Sequence, residues 1–251
     1  MDRTRQQAYD RGQTIFSPDG RLYQVEYARE AVARGSPSVG VRTADGVVLA
    51  ARKRVRSPLL EPTSVEKIHR IDEGLAVASA GHAADARTLV DLARETSQRH
   101  RLRYGDPIAA GSLATAVADH VQEHTQTGGS RPFGTALLVA GGDHTPPDDP
   151  GRPGLYEVDP SGTATGWRAG AIGESSADLR RVLEGRLAGG RDGSASIDAD
   201  RGVHVALEAL AASTDSALSA ADLDVCTVSV APPAVDRRST ATIDDALEAV
   251  S

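Results

Sequence analysis

The order in which the apolar runs of this chain change period constrains its fold more than any other feature. Short apolar runs come first as hairpin pairs, then as two long helical stretches, then as strands again, then as two more helices. The first hairpin joins Val39-Gly40-Val41 to Val47-Val48-Leu49-Ala50-Ala51 through a turn at Ala44-Asp45-Gly46. A second sets Ile68 and Ile71 against Leu75-Ala76-Val77-Ala78 across Asp72-Glu73-Gly74. Turn residues between short apolar runs are the local signature of antiparallel pairing. Helical periodicity then covers about Ala83–Arg103 and Pro107–Gln126, with a break at Tyr104-Gly105-Asp106. Thr135–Ala140 reads as a strand, and Gly141–Gly154, with its four prolines, as a surface loop. A third hairpin turns at Asp159-Pro160-Ser161-Gly162, between Leu155–Val158 and Thr163–Trp167. Helices are expected at Ser175–Leu187, Ile197–Leu218 and Ile243–Val250, with a strand at Val225–Val230. Ahead of everything, Leu22, Val25, Ala28 and Val32 recur at near-helical spacing up to Gly35.

The strand runs are short and do not alternate cleanly, as expected of strands covered on both faces. The order implies an α+β fold of two packed sheets with helix layers outside, rather than alternating βαβ units. At 251 residues, 39% of them apolar and 25% charged, the chain can bury a sizeable core. No window approaches the apolar length of a membrane-spanning helix. The first residues, Met1 to Gln7, lack the apolar stretch of a secretory signal. Cys226 is the only cysteine, so no internal disulfide is possible, and a reducing cytoplasm is the expected setting. A formal charge of −7 argues against non-specific nucleic-acid binding.

One bias singles out two residues. Lys53 and Lys67 are the only lysines among 28 basic residues, and aspartate outnumbers glutamate 23 to 12. GC-rich coding or adaptation to high salt would each produce this pattern. In either case a lysine is rare enough here to weigh individually.

The run from Tyr9 to Ala28, YDRGQTIFSPDGRLYQVEYA, resembles the signature of proteasome α subunits nearly residue for residue, in the form archaeal members carry. Further matches are Asp45-Gly46-Val47-Val48-Leu49-Ala50, Glu66-Lys67-Ile68, Ala80-Gly81 with Ala84-Asp85-Ala86-Arg87, Arg131-Pro132-Phe133-Gly134 and Ala171-Ile172-Gly173. The resemblance covers roughly residues 8–230. It implies a four-layer αββα sandwich of the N-terminal-nucleophile hydrolase type with an extra N-terminal helix. On that pattern residues 1–20 are a gate tail and turn, 21–35 the helix and 36–251 the sandwich, within one domain spanning 1–251. It also implies a seven-membered ring with other α subunits, and contact with β subunits that hold the proteolytic threonines. Further implied partners are the C-terminal tails of an activating ATPase and unfolded protein substrates in transit. No cofactor, nucleic acid or membrane is implied.

Whether the chain carries a nucleophile of its own depends on Ser36. Aligned through Val39-Gly40 and Asp45-Gly46-Val47, Ser36 takes the place of the β subunits' threonine, and Lys67 that of their catalytic lysine. Such nucleophiles use their own free amine as base. Ser36 has 35 residues ahead of it, Pro37 restricts the backbone behind it, and Arg52 stands where an acid should orient the lysine. The expectation is therefore no catalysis by this chain, with a self-processing hydrolase exposing Ser36 as the alternative. A second lure is His120-Val121-Gln122-Glu123-His124, which fits an H-x-x-E-H zinc pattern. No third ligand is evident nearby, and the expectation is an ordinary helix end with no metal.

By the same resemblance, Tyr9, Asp10, Arg11, Pro18 and Tyr27 match the cluster that holds the tails in an open-gate arrangement. Lys67 matches a pocket lysine between adjacent α subunits, which receives an activator tail ending in a hydrophobic residue, tyrosine and any residue. A compact ammonium suits that tail's carboxylate. Gly35 and Gly81 match pocket-lining positions where backbone approaches closely, and Leu22 and Glu26 are placed with the same site. His82 departs from the apolar residue usual after that glycine.

Overall fold

The computed structural model describes residues 16, 20, 22–55, 57, 59–127, 130–143, 151–187, 197–214 and 217–249. Two five-stranded antiparallel sheets pack face to face. The first contains β1 (Ser38–Arg42), β2 (Gly46–Arg52), β8 (Ala169–Ile172), β9 (Leu223–Val230) and β10 (Pro233–Arg237), in the order β10-β9-β2-β1-β8. The second runs β3-β4-β5-β6-β7, from β3 (Ile68–Asp72) and β4 (Leu75–Gly81) through β5 (Thr135–Asp143) and β6 (Arg152–Val158) to β7 (Ala164–Gly166).

Both faces of the central strands are covered, and consecutive side chains enter different cores. On β2, Val48 and Ala50 join the outer cluster under the helices, while Val47, Leu49 and Ala51 point between the sheets. On β4 and β5, Leu75, Val77, Leu137 and Val139 face outward to helices, and Ala76, Ala78, Leu138 and Ala140 face inward. Helices α2 (Ala83–Tyr104) and α3 (Ala110–Gln126) cover the second sheet. Helices α4 (Ser176–Leu187) and α5 (Ala199–Ala212) cover the first, with α6 (Thr240–Glu248) against α5. Each fully buried leucine of these layers contributes about 1.5–3 kcal/mol relative to exposure. The αββα order and the α+β class are those expected. Helix α1 (Tyr23–Ala33) buries Val25 and Ala28 against β4 and β5 of its own chain.

Several boundaries differ from the expected ones. The span 141–154 is not loop throughout. Gly141–Asp143 and Arg152–Gly154 extend β5 and β6, paired from Gly141↔Gly154 to Asp143↔Arg152. Proline is tolerated in that ladder at Pro153, opposite Gly142, near the strand's start. Helix α3 starts at Ala110 rather than Pro107, and Asp143 accepts the Gly111 amide at 2.9 Å, satisfying one orphan donor of its first turn. Helix α5 stops at Ala212, six residues short of the expected end at Leu218. There the Ser213 hydroxyl donates to the Leu210 carbonyl, competing with helix continuation. Two strands, β8 and β10, were not anticipated. Ala169-Gly170-Ala171-Ile172 is too short to announce itself, and Pro232-Pro233 reads as a breaker although proline is tolerated at the start of an edge strand.

Candidate functional site

The site begins where three backbones cross without side chains. After α1, the amides of Arg34 and Gly35 donate to the carbonyls of Glu30 and Val32, closing the helix. Gly35 then runs directly against Gly81, where a methyl group would collide with the Gly81 amide nitrogen and lie 2.7 Å from its Cα. Gly81 has φ +115°, and a Cβ there would strike the Gly134 carbonyl. The Gly35 carbonyl accepts the Glu174 amide at 2.7 Å. Only glycine fits such an approach at both positions. The crossing anchors α1 across one end of the sandwich and leaves beside it an open groove of about 700 Å³. Tyr27 and Glu30 from α1 and Arg34 just past its end, with Ser36, Arg54, Lys67 and His82, line this groove.

Lys67 precedes β3, half-buried, and its ammonium donates to the Ser36 carbonyl at 3.0 Å. No carboxylate lies within ion-pairing distance of it among the described residues. Burial, then the nearby Arg54, lower its pKa to about 8 against a partial offset from Asp224. Asp224, at the foot of β9, is already engaged. Its Oδ2 accepts the amides of Lys67 and Ile68 at 3.3 and 3.1 Å, and its Oδ1 accepts from Arg237 at 2.9 Å. The groove therefore presents a cation short of a counter-charge, rimmed by Arg34 and Arg54, with Glu30 the acid of its lining. That arrangement suits a small anionic group.

Ser36 is not poised for attack. Its hydroxyl donates to the Arg52 carbonyl, and Lys67 meets its carbonyl oxygen rather than its hydroxyl. The Arg52 guanidinium turns to Glu174 at 3.2 Å, and Arg54 reaches the same carboxylate at 2.7 Å. The acid nearest Lys67 in effect is Asp224, which sequence reasoning did not identify. Nothing local ties Asp224 to Lys67 or Glu174 to Arg52, since these partners lie over a hundred residues apart in the chain.

The other anticipated residues separate into groups. Lys67, Gly35, Gly81 and Tyr27 come together at the groove. Leu22 and Glu26 do not line it. Glu26 pairs with Arg29 at 2.9 Å, and Arg29 also holds Asp159 in the β6–β7 turn at 2.9 Å, fastening α1. Tyr9, Asp10, Arg11 and Pro18 lie outside the described residues. His82 donates its amide to Gly134 at 2.9 Å, and its ring stands 62% exposed over the groove. The His120 and His124 rings meet at a tilt with centroids 4.5 Å apart, and His124 lies 4.7 Å from Phe133, with its Nδ1 bonded to the His120 carbonyl. Among the described residues no group of three His, Cys, Asp or Glu side chains is placed to hold a metal. None of the helices there is long and apolar enough to cross a membrane.

Comparison with known proteins gives consistent matches. The proteasome subunit family model matches residues 32–228, and the N-terminal signature of α-type proteasome subunits matches residues 9–31. Proteasome subunit alpha 1 of Haloferax volcanii is 54% identical over 97% of this chain and 92% of its own length. Proteasome subunit alpha of Haloquadratum walsbyi is 56% identical over 89% and 84%, and proteasome subunit alpha 2 of Haloarcula marismortui 54% over 92% and 89%.

Proposed function

The chain belongs to the proteasome subunit family, as an α subunit of the core particle, and on that premise we propose that it forms the outer ring, gates the entrance and docks an ATPase in the cytoplasm. In this reading seven α copies close a ring over the β subunits, residues 1–20 form the gate, residues 21–35 the covering helix and residues 36–251 the sandwich. The chain cleaves nothing itself. Unfolded substrates pass it to reach β-subunit active sites, and it needs no cofactor.

The observation that carries the docking role is the Lys67 ammonium in the groove, bonded to one backbone carbonyl and lacking an acid partner among the described residues. A terminal carboxylate entering there would gain a charge-assisted bond. Leu22 and Glu26 lie off the groove of their own chain. They would contribute to a pocket between copies from a neighbouring subunit. Tyr27, on the groove and 45% exposed, would link the pocket to the tail cluster of Tyr9, Asp10, Arg11 and Pro18.

The test is Lys67→Ala in assembled α–β particles. Stimulation by the ATPase should fall sharply, because losing one partner of a desolvated charge pair costs about 2–5 kcal/mol. Basal peptide cleavage and assembly should remain. Stimulation that survives at limiting activator would sink the docking assignment. The hydrolase alternative gains only the nearness of Lys67 to Ser36, and the Ser36 hydroxyl bond to Arg52 counts against it. An intact N-terminus by mass spectrometry would remove that alternative.

A further inference from the structure

We propose that Lys67 is a site of covalent acylation: its amine, set in the groove beside the Gly35–Gly81 crossing without a carboxylate partner among the described residues, accepts a small acyl group from an activated donor, and the resulting neutral amide abolishes anion binding there. The second half of this proposal rests on the docking reading above; the first does not.

The geometry selects this lysine. Among the described residues its Nζ has one acceptor, the Ser36 carbonyl. Tyr27 and Glu30 from α1, Arg34 just past its end, Arg54 from the segment after β2 and His82 just past β4 line the groove around it. Glu30 pairs with Arg34 at 3.2 Å, Glu174 serves Arg52 and Arg54, and Asp224 serves two amides and Arg237. Among the described residues only Asp224 favours the proton on Nζ, and it offsets burial and Arg54 in part. A pKa of about 8 leaves about a quarter of the amines neutral at pH 7.5, roughly 200-fold more than for a lysine at its ordinary value. Arg34, with its side chain 80% exposed at the rim, and Arg54 attract donors that carry phosphate or carboxylate.

The step balances without an oxidant. The Nζ lone pair attacks the acyl carbon of a thioester or acyl phosphate, the N–C bond forms, and the C–S or C–O bond breaks as thiolate or phosphate departs. The surplus proton on nitrogen passes to water. The product is an uncharged amide that projects its acyl group into the groove.

Competitive labelling tests both halves. Assembled particles and a reference peptide with one free lysine share a limiting amount of N-hydroxysuccinimidyl acetate from pH 6.5 to 10, and mass spectrometry reads acetylation at Lys67, Lys53 and the peptide. Lys67 should label at least tenfold faster than the reference at pH 7.5, with the advantage vanishing near pH 10. Arg54→Gln should move the point where the Lys67 rate levels off to higher pH. A ratio at or below one at pH 7.5 overturns the proposal. Binding of a synthetic peptide ending in a hydrophobic residue, tyrosine and a free-carboxylate residue should fall at least tenfold in the acetylated particles. If labelling is fast but neither acetylation nor Lys67→Ala changes peptide binding, the docking reading fails and the reactive amine stands. If Lys67→Ala abolishes binding while labelling is slow, acylation fails and docking stands.

Discussion

Asp85 and Lys67 are charged residues that both lie near the Gly81 crossing, and the fold treats them differently. Asp85, in the first turn of α2 with its side chain only 8% exposed, accepts two bonds from Arg131 at 2.7 Å and the Gly134 amide at 2.8 Å. The Arg131 bonds, partly opposed by burial and helped by the Gly134 amide, hold its carboxyl below the usual range. Lys67 receives one neutral carbonyl and is pushed toward its uncharged form. A charge whose bonding is complete within the chain acts as a lock, here joining α2 to the segment leading into β5. A charge left incomplete in an open groove lowers stability and keeps donors free for an anion.

The contrast depends first on the glycine crossing near which both groups lie. Gly81→Ala must relieve both a left-handed backbone and a collision with the Gly134 carbonyl. Strain and overpacking together should cost about 2–6 kcal/mol, read as a fall in denaturant midpoint or loss of soluble protein. A near-normal midpoint would mean that the crossing relaxes easily around an added methyl group.

Lys67→Met sharpens the comparison in the opposite direction. The folded pKa of about 8 lies below the 10.5 of a free lysine, so between those values the unfolded chain holds a proton that the folded chain has shed. Wild-type stability should therefore rise with pH across that window. The methionine variant should lack this rise and be more stable near pH 7 by up to about 3 kcal/mol. Thermal unfolding at fixed protein concentration would measure it, and equal slopes would show that Lys67 is well solvated.

Asp85→Asn should destabilise by about 2 kcal/mol near pH 7, through loss of charge-assisted bonds, or about 4–8 °C in Tm for a chain of this size. The sign with pH is the reverse of the lysine's. A lowered carboxyl pKa contributes stability that is present above the ordinary value of about 3.9 and lost as pH falls through the folded value. The gap between wild type and variant should close below about pH 4. The smallest effect should come from Arg34→Ala. Its pair with Glu30 has side chains 80% and 60% exposed, so stability should change by no more than about 0.5 kcal/mol.

How far this was legible differs between fold and site. The turns at Asp45-Gly46 and Glu73-Gly74 and the break at Gly105 stand where structure confirms them, because each is local: glycine at φ +82° ends α2 by its own conformational freedom. Lys67 stood out by its rarity, and Gly35 and Gly81 came with the resemblance. The partners that define their chemistry did not stand out. Leu22 and Glu26 shared the N-terminal helix, yet which face of α1 meets the groove depended on how Val25 and Ala28 pack on β4 and β5.

The sequence by itself therefore determined the helices, the three hairpins, the strands buried on both faces and, through residues 9–31, the family. Hydrophobic period, turn residues and a contiguous motif are all written within a few positions of one another. Tertiary structure alone decided that β8 closes the edge beside β1, that Asp143 caps α3, and that Arg52 turns to Glu174. It also placed Asp224 beside Lys67, 157 positions away in the chain. Such contacts form only after two sheets have packed, so no local propensity encodes them, and the charge state of Lys67 follows from them rather than from its neighbours in sequence.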